Sequence, residues 1–312
     1  MNLRLVLIYF LILSMHFCTP AELNNPNDLT SAARIITFLR LTLPSESETR
    51  TVTIQGKISG LIPNSNLELL VNGSERIPFT SLVNGSFTSQ FILSSSIQEY
   101  SLQISTQPNQ LLCSILLGQN GKILGESISE VEIICPIAVV GGLKWYRCSH
   151  GQTWSESGNS GAGECTGSGT RVSFCSMDTN DCNGGSDSGL LTSSTSWTGG
   201  AISNAWNVCN NLNTSSVNYG LTSWRMPSKE ELKSIRYCNN NPSFTGDSNC
   251  PTSPNPIVDP TIDSNLFPNT VSSIYSSGES STATANKQIL FSNGSVPGGS
   301  KSGINYIRCM SN

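Results

Sequence analysis

The chain has 312 residues, a formal net charge of −4 and 12% charged residues, against about 25% in an average soluble domain. No basic field is available to hold phosphates, which argues against nucleic acid as a partner. The two histidines, His16 and His150, rule out a zinc site with several His ligands, and a Ser-His-Asp triad would have to be built on His150 alone.

The N-terminus reads as an export signal. A short polar start with Arg4 leads into an apolar run from Leu5 to Phe17, too short for the roughly 20 residues of a membrane span. Two cleavage readings stand. Cys18 closes the run where an acylated lipoprotein cysteine would sit, although Met15-His16-Phe17 is a poor lipobox. Cleavage after Ala21 is the alternative. The signal peptide is therefore placed over 1–21, and membrane contact is expected only through a lipid on Cys18. Residues 22–50, rich in Asn, Pro, Ser and Glu around an apolar patch Ile35–Leu43, read as a tether. Without Cys18, ten of the eleven cysteines remain. An even count in an exported chain reads as a disulfide framework. The chain has no C-x-x-C, so neither a zinc ribbon nor a thioredoxin-like site is suggested.

Residues 51–136 are strand-like. Thr51–Ile58 alternates polar and apolar, the period of a half-buried strand. Leu-Val-Asn-Gly-Ser occurs at 70–74 and again at 82–86, and Asn-Gly between apolar runs is a hairpin signal because both residues tolerate φ > 0. Further strands are expected at Ser86–Leu93, Tyr100–Thr106, Leu111–Leu117 and Val131–Cys135. Closely spaced strands without a helical period predict a small β-sandwich. Cys113 and Cys135 fall in its last strands and are placed to staple them.

Pro136–Val140 reads as a boundary. Residues 141–198 are rich in Gly, Ser and Thr and hold four cysteines, which argues for stapled irregular loops. Two helices follow. Ala201–Leu212 carries Ala201, Ala205, Val208, Cys209 and Leu212 at helical spacing. Ser228-Lys229-Glu230-Glu231 is a capping box that opens the second, with Leu232 and Ile235 on its apolar face. Beyond Cys250, strands are expected at Gln288–Ser292 and Asn305–Met310, joined by an Asn293-Gly294 turn.

Two resemblances overlie this reading. Gly56–Leu61, Asn84-Gly85-Ser86-Phe87, Thr106–Gln110 with Cys113, and Val131–Cys135 resemble a bacterial immunoglobulin-like surface repeat over 51–136. That resemblance implies a spacer with a Cys113–Cys135 bridge and no chemistry. Trp224-Arg225-Met226-Pro227-Ser228-Lys229-Glu230-Glu231-Leu232 resembles the W-R-L-P-T-x-x-E-L signature of the Lcl C-terminal domain family. The likeness extends in order through Gly142–Trp145, Arg147-Cys148, Gln152-Thr153-Trp154, Ala205 with Cys209, Phe267-Pro268-Asn269, Ser276-Ser277, Asn293-Gly294-Ser295 and Arg308-Cys309.

The second resemblance implies a disulfide-rich domain over 137–312 with the formylglycine-generating-enzyme or C-type-lectin-like fold. The expected class is thus mainly β: an immunoglobulin-like sandwich followed by an α+β C-type-lectin-like domain. It also implies a Cys209–Cys309 bridge. Proximity suggests Cys148–Cys165, Cys175–Cys182 and Cys238–Cys250, although four cysteines alone allow three connectivities. The sequence departs from the family where Ile274-Tyr275-Ser276-Ser277 lacks the usual Trp and where Thr284–Lys287 replaces an apolar strand.

The signature itself reads as a packing and capping device, in which Trp224, Arg225, Pro227, Ser228, Glu231 and Leu232 are structural. No catalytic residue and no cofactor is implied. An oxidase would need two reduced cysteines able to hold copper, and every cysteine after Cys18 has a plausible oxidised partner. Asp178–Gly184 is oxygen-rich enough to fold around a cation, but it misses the EF-hand spacing and puts Cys182 at a ligand position. A solvated Asx turn is the preferred reading. Trp145, Trp154, Trp197 and Trp206 are expected in the core. Arg225, Arg236 and Arg308 are expected to pair with Glu230, Glu231 or loop carbonyls in exposed contacts of small effect. The function this supports is an exported bacterial surface protein, adhesin-like or structural, that takes a host glycoconjugate or matrix protein as its ligand.

Overall fold

The structure, a computed structural model, describes residues 48–79, 85–155, 163–215, 219–238, 244–252 and 256–312. The expected signal peptide, Cys18, nearly all of the tether and most of the second Leu-Val-Asn-Gly-Ser copy lie outside them. Glu48 and Thr49 group with Ser94–Ser96, where the Ser95 amide and hydroxyl donate to the Glu48 carbonyl at 2.7 and 2.9 Å. Arg50–Leu93 and Ile97–Asn312 form a second compact unit.

The molecule is mainly β. Its first strands are β1 (Thr49–Ser59), β2 (Leu67–Val71), β3 (Glu75–Phe79), β4 (Gly85–Ser94), β5 (Glu99–Thr106), β6 (Leu111–Leu117), β7 (Asn120–Lys122) and β8 (Ser127–Val140). The alternation in β1 is realised, with Val52, Ile54 and Ile58 buried and Thr51, Gln55 and Lys57 exposed. The Asn72-Gly73 turn joins β2 to β3 with φ of 51° and 71°, the left-handed region that Asn and Gly enter at least cost. A four-stranded sheet runs β3-β2-β5-β7, while β4, β1 and β8 lie in order in a larger one where β6 also pairs with β8. Leu69, Val71 and Leu102 from the first sheet share one buried cluster with Val52, Ile54 and Ile133 from the second.

The Pro136–Val140 boundary does not interrupt the chain's strand. It is the end of β8, one continuous strand of 14 residues. The proline is tolerated for two reasons. The parallel pairing with β1 ends at Ser59↔Ile134. Against β6 the register shifts, so that Cys135 and Pro136 together oppose Cys113. A bulge of that kind leaves no ladder bond for the missing N–H to make.

The second half contributes β9 (Leu143–Tyr146), β10 (Thr153–Ser155), β11 (Glu164–Thr166), β12 (Val172–Ser173), β13 (Gly189–Leu190), β14 (Ile274–Ser280), β15 (Ala285–Leu290), β16 (Gly298–Ser300), β17 (Ile304–Asn305) and β18 (Met310–Ser311). β9 pairs with β8 on one side and β18 on the other, so the last strand closes the large sheet. The stretch from β13 to β16 builds a separate four-stranded sheet. Helix α1 covers Asn204–Leu212, shorter than the apolar spacing suggested, because the Ser203 hydroxyl accepts from the Trp206 amide and fixes the start. Helix α2 covers Lys229–Ser234.

The hairpin expected between Gln288–Ser292 and Asn305–Met310 does not form. β15 turns at Gly294, whose N–H donates to Leu290 O at 2.7 Å, and pairs with β16 instead. The stretch from Tyr306 to Cys309 serves three elements in turn. The Tyr306 amide bonds Ile274 O, Ile307 O accepts from His150, and Cys309 O accepts from Tyr146.

Candidate functional site

The Trp224–Leu232 signature is a clasp. Arg225 exchanges both backbone hydrogen bonds with Met310, at 2.8 and 3.0 Å, which fastens the segment to β18. Its guanidinium makes a two-pronged contact with Glu231 at 2.8 and 2.7 Å. Glu231 also accepts from the Ser228 amide at 2.7 Å while its own amide donates to the Ser228 hydroxyl, a complete capping box. Pro227 O receives the Gly278 amide, Leu232 is fully buried, and Trp224 stands edge-on to Tyr146.

Arg225 and the Ser228 amide hold the Glu231 carboxyl down to about 2 from an ordinary 4.5. A depressed carboxylate stabilises the fold fully above its unfolded value, and that contribution fades as pH falls from about 4.5 toward 2. Glu231→Gln is expected to destabilise by about 1–2 kcal/mol at pH 7. Denaturant titration at pH 7 and again near pH 2 should show the deficit shrinking in acid. An equal deficit at both would contradict the assignment.

All ten described cysteines are paired: Cys113–Cys135, Cys148–Cys165, Cys175–Cys182, Cys209–Cys309 and Cys238–Cys250. All ten are buried.

Arg225 pairs with Glu231, and Arg236 and Arg308 take backbone carbonyls, as expected from sequence, but Arg236 and Arg308 do so buried rather than exposed. Arg308 is fully buried. It donates to Tyr146 O and Arg147 O through one nitrogen, and to the Thr270 and Ser149 hydroxyls at 2.8 and 3.2 Å through the other. Its guanidinium lies 4.8 Å over Phe267. Arg147, equally hidden, donates to the carbonyls of Leu266, Gly60, Cys135 and Asn265 and lies 4.7 Å over Trp154. Burial, with Arg308 beside it, pushes the Arg147 guanidinium down to about 9. Arg236 holds the Gly294, Phe244 and Gly246 carbonyls. Backbone oxygens answer these charges because irregular chain leaves many carbonyls unpaired.

The oxygen-rich loop does fold around a cation, and the cation is the chain's own. The ammonium of Lys301, a fully buried residue, donates to Thr179 O at 3.2 Å, Asn180 Oδ1 at 2.8 Å and Asn183 Oδ1 at 3.2 Å. The Phe174 ring is 5.9 Å away. Asp178 secures the facing strand through the Ser300 hydroxyl and the Ser302 amide and hydroxyl. Three donors meet three acceptors, which satisfies the ammonium. Lys301→Met is expected to cost about 1–2 kcal/mol, since the loop oxygens can partly rehydrate. Millimolar calcium should leave the wild-type melting temperature unchanged, because the ammonium already holds those oxygens. A calcium-dependent rise would contradict this.

The family model for the Lcl C-terminal domain matches residues 139–311. The chain belongs to the Lcl C-terminal domain family. No curated protein and no solved structure matches it. Within this Lcl C-terminal domain the match begins inside β8, so the domain shares its first strand with the preceding strands.

Against β9 and α1 lies a cavity of about 380 Å³, walled by Tyr146, Trp154, Tyr219, Leu116, Val208 and Leu212 together with the segment 148–153. Tyr146 and Tyr219 stack at 5.9 Å. Burial pushes the Tyr146 phenol up and the His150 imidazole down. His150 is pinned through its backbone, its amide to Ile307 O and its carbonyl from the Thr170 amide. Its ring has no hydrogen-bond partner among the described residues. The neighbouring Ser149 hydroxyl is engaged by Tyr275 and Arg308 instead, at 2.6 and 3.2 Å. The Gln152 side chain bonds the Ser149 amide and the carbonyls of Gly167 and Asn269. Trp145 is fully buried, and Trp197 and Trp206 form an edge-to-face pair at 5.7 Å.

Proposed function

We propose that this is an exported bacterial cell-surface protein that binds rather than catalyses. An immunoglobulin-like sandwich over 51–136 holds a C-type-lectin-like domain, 137–312, away from the envelope, with a signal peptide before them and a lipid on Cys18 as the anchor. The ligand class is a host glycoconjugate or matrix protein. The carrying observation is that the ten cysteines from Cys113 to Cys309 are locked in five buried disulfides. Such a frame persists in an oxidising compartment and leaves none of those ten as a thiolate for an oxidase, which would need a reduced pair to hold copper. The acidic balance disfavours strongly sulfated glycans.

The reading is tested by presenting the purified protein to immobilised glycans and matrix proteins, with palmitate labelling of cells that express it. Retention on at least one surface, lost after the disulfides are reduced, supports it. Failure on every surface would leave a structural envelope role.

A further inference from the structure

We propose that the cavity between β9 and α1 is a binding site for an uncharged aromatic ring carrying one hydroxyl group. The inference rests on the non-enzymatic binding reading above and, of its two ligand classes, fits an aromatic side chain of a protein rather than a saccharide. Among the described residues the walls hold no Asp, Glu, Lys or Arg. A charged ligand entering would lose water without gaining a counter-charge, which is costly. The surface offered is predominantly apolar and aromatic, with Tyr146, Tyr219 and Trp154 on its walls, and about 380 Å³ accommodates a single substituted ring.

The polar groups decide the rest. Ser149 and Gln152 are bonded internally, the Tyr146 and Tyr219 hydroxyls bond each other, and Thr153 is exposed to solvent, so these groups have little to offer a ligand inside. The His150 ring has no partner among the described residues, and burial disfavours its charged form. A neutral imidazole presents one donor and one acceptor. One hydroxyl can meet it. A saccharide, with a hydroxyl on most carbons, would leave several unpaired against apolar walls. The wall is also pre-formed, because Cys148 and Cys309, both lining residues, belong to separate disulfides. Pre-formed walls reduce the ordering cost of binding.

The test follows the His150 ring signal by NMR in the full mature protein, assigned with His150→Gln. Five probes are titrated: p-cresol, N-acetyltyrosinamide, benzoate, benzylamine and methyl glucoside. p-Cresol is expected to shift the signal saturably, and benzoate and benzylamine to bind at least about tenfold more weakly, the price of burying an unpaired charge. Leu116→Trp, at a half-exposed wall position, should block the p-cresol shift. If N-acetyltyrosinamide also binds, the ring is a protein side chain. If only p-cresol binds, it is a free small molecule. Equal or tighter binding of a charged probe or of methyl glucoside would overturn the proposal, as would a signal that p-cresol does not move. None of these outcomes touches the disulfide count, so the site can fail while the non-enzymatic binding reading stands.

Discussion

Arg308→Met is expected to destabilise the protein by about 3–5 kcal/mol, measured by denaturant unfolding at neutral pH. Two terms oppose each other. Methionine removes a buried charge, whose desolvation is unfavourable by several kcal/mol. It also strands two backbone carbonyls that Arg308 satisfies in the interior, at about 1–3 kcal/mol each, and takes one bond each from the Ser149 and Thr270 hydroxyls, which keep Tyr275 and Phe267 O. The second term wins because both carbonyls are left unpaired inside a fully buried site while each hydroxyl also loses a bond. The stack on Phe267 is lost as well. Arg308→Lys should recover little, since a point ammonium on a flexible stem cannot reproduce the planar fork. A loss below about 1 kcal/mol would mean that the carbonyls find other donors.

The second large effect is expected from removing the bridge between α1 and the chain's last strand. Cys209 and Cys309 are 100 residues apart, and closing a loop of that size restricts the unfolded chain by about 4.7 kcal/mol in the entropic model. The Cys209→Ser, Cys309→Ser double variant should therefore lose about 2–5 kcal/mol. Removing Cys175–Cys182, with a separation of 7, should lose only about 2 kcal/mol by the same relation. The order of the two variants in thermal unfolding is the discriminating result. If the short bridge matters more, packing around Lys301 rather than chain entropy governs stability.

What the sequence discloses is local. The period of β1, the Asn72-Gly73 turn and the Ser228 capping box each depend on residues within one turn or one strand, and the structure realises all three. The start of α1 is equally local: Ser203 is a capping residue that fixes the helix at Asn204, later than the apolar spacing from Ala201 implies. The parallel pairing of β1 with β8 is not local, and nothing near Pro136 signals that the strand continues through it.

The buried cations are the hardest to read. Lys301 meets its acceptors across more than 100 residues, and Arg147 and Arg308 bond carbonyls that have no side-chain signature at all. A small charged fraction still gave a clue. Where so few charges exist, each arginine beside a disulfide cysteine, as in Arg147-Cys148 and Arg308-Cys309, is a candidate for the interior. The cavity was legible only as scattered aromatics and one histidine. Its walls come from β6, β8, β9 and α1, a convergence that only the fold supplies.

The intact mass of the natively isolated protein, before and after thiol alkylation without reductant, tests the central claim most directly. Ten oxidised cysteines from Cys113 to Cys309, with no alkylated adduct on any of them, is the predicted result. Two alkylated thiols in the region 137–312, above all with bound copper, would contradict it and make a copper-thiolate oxidase the leading reading.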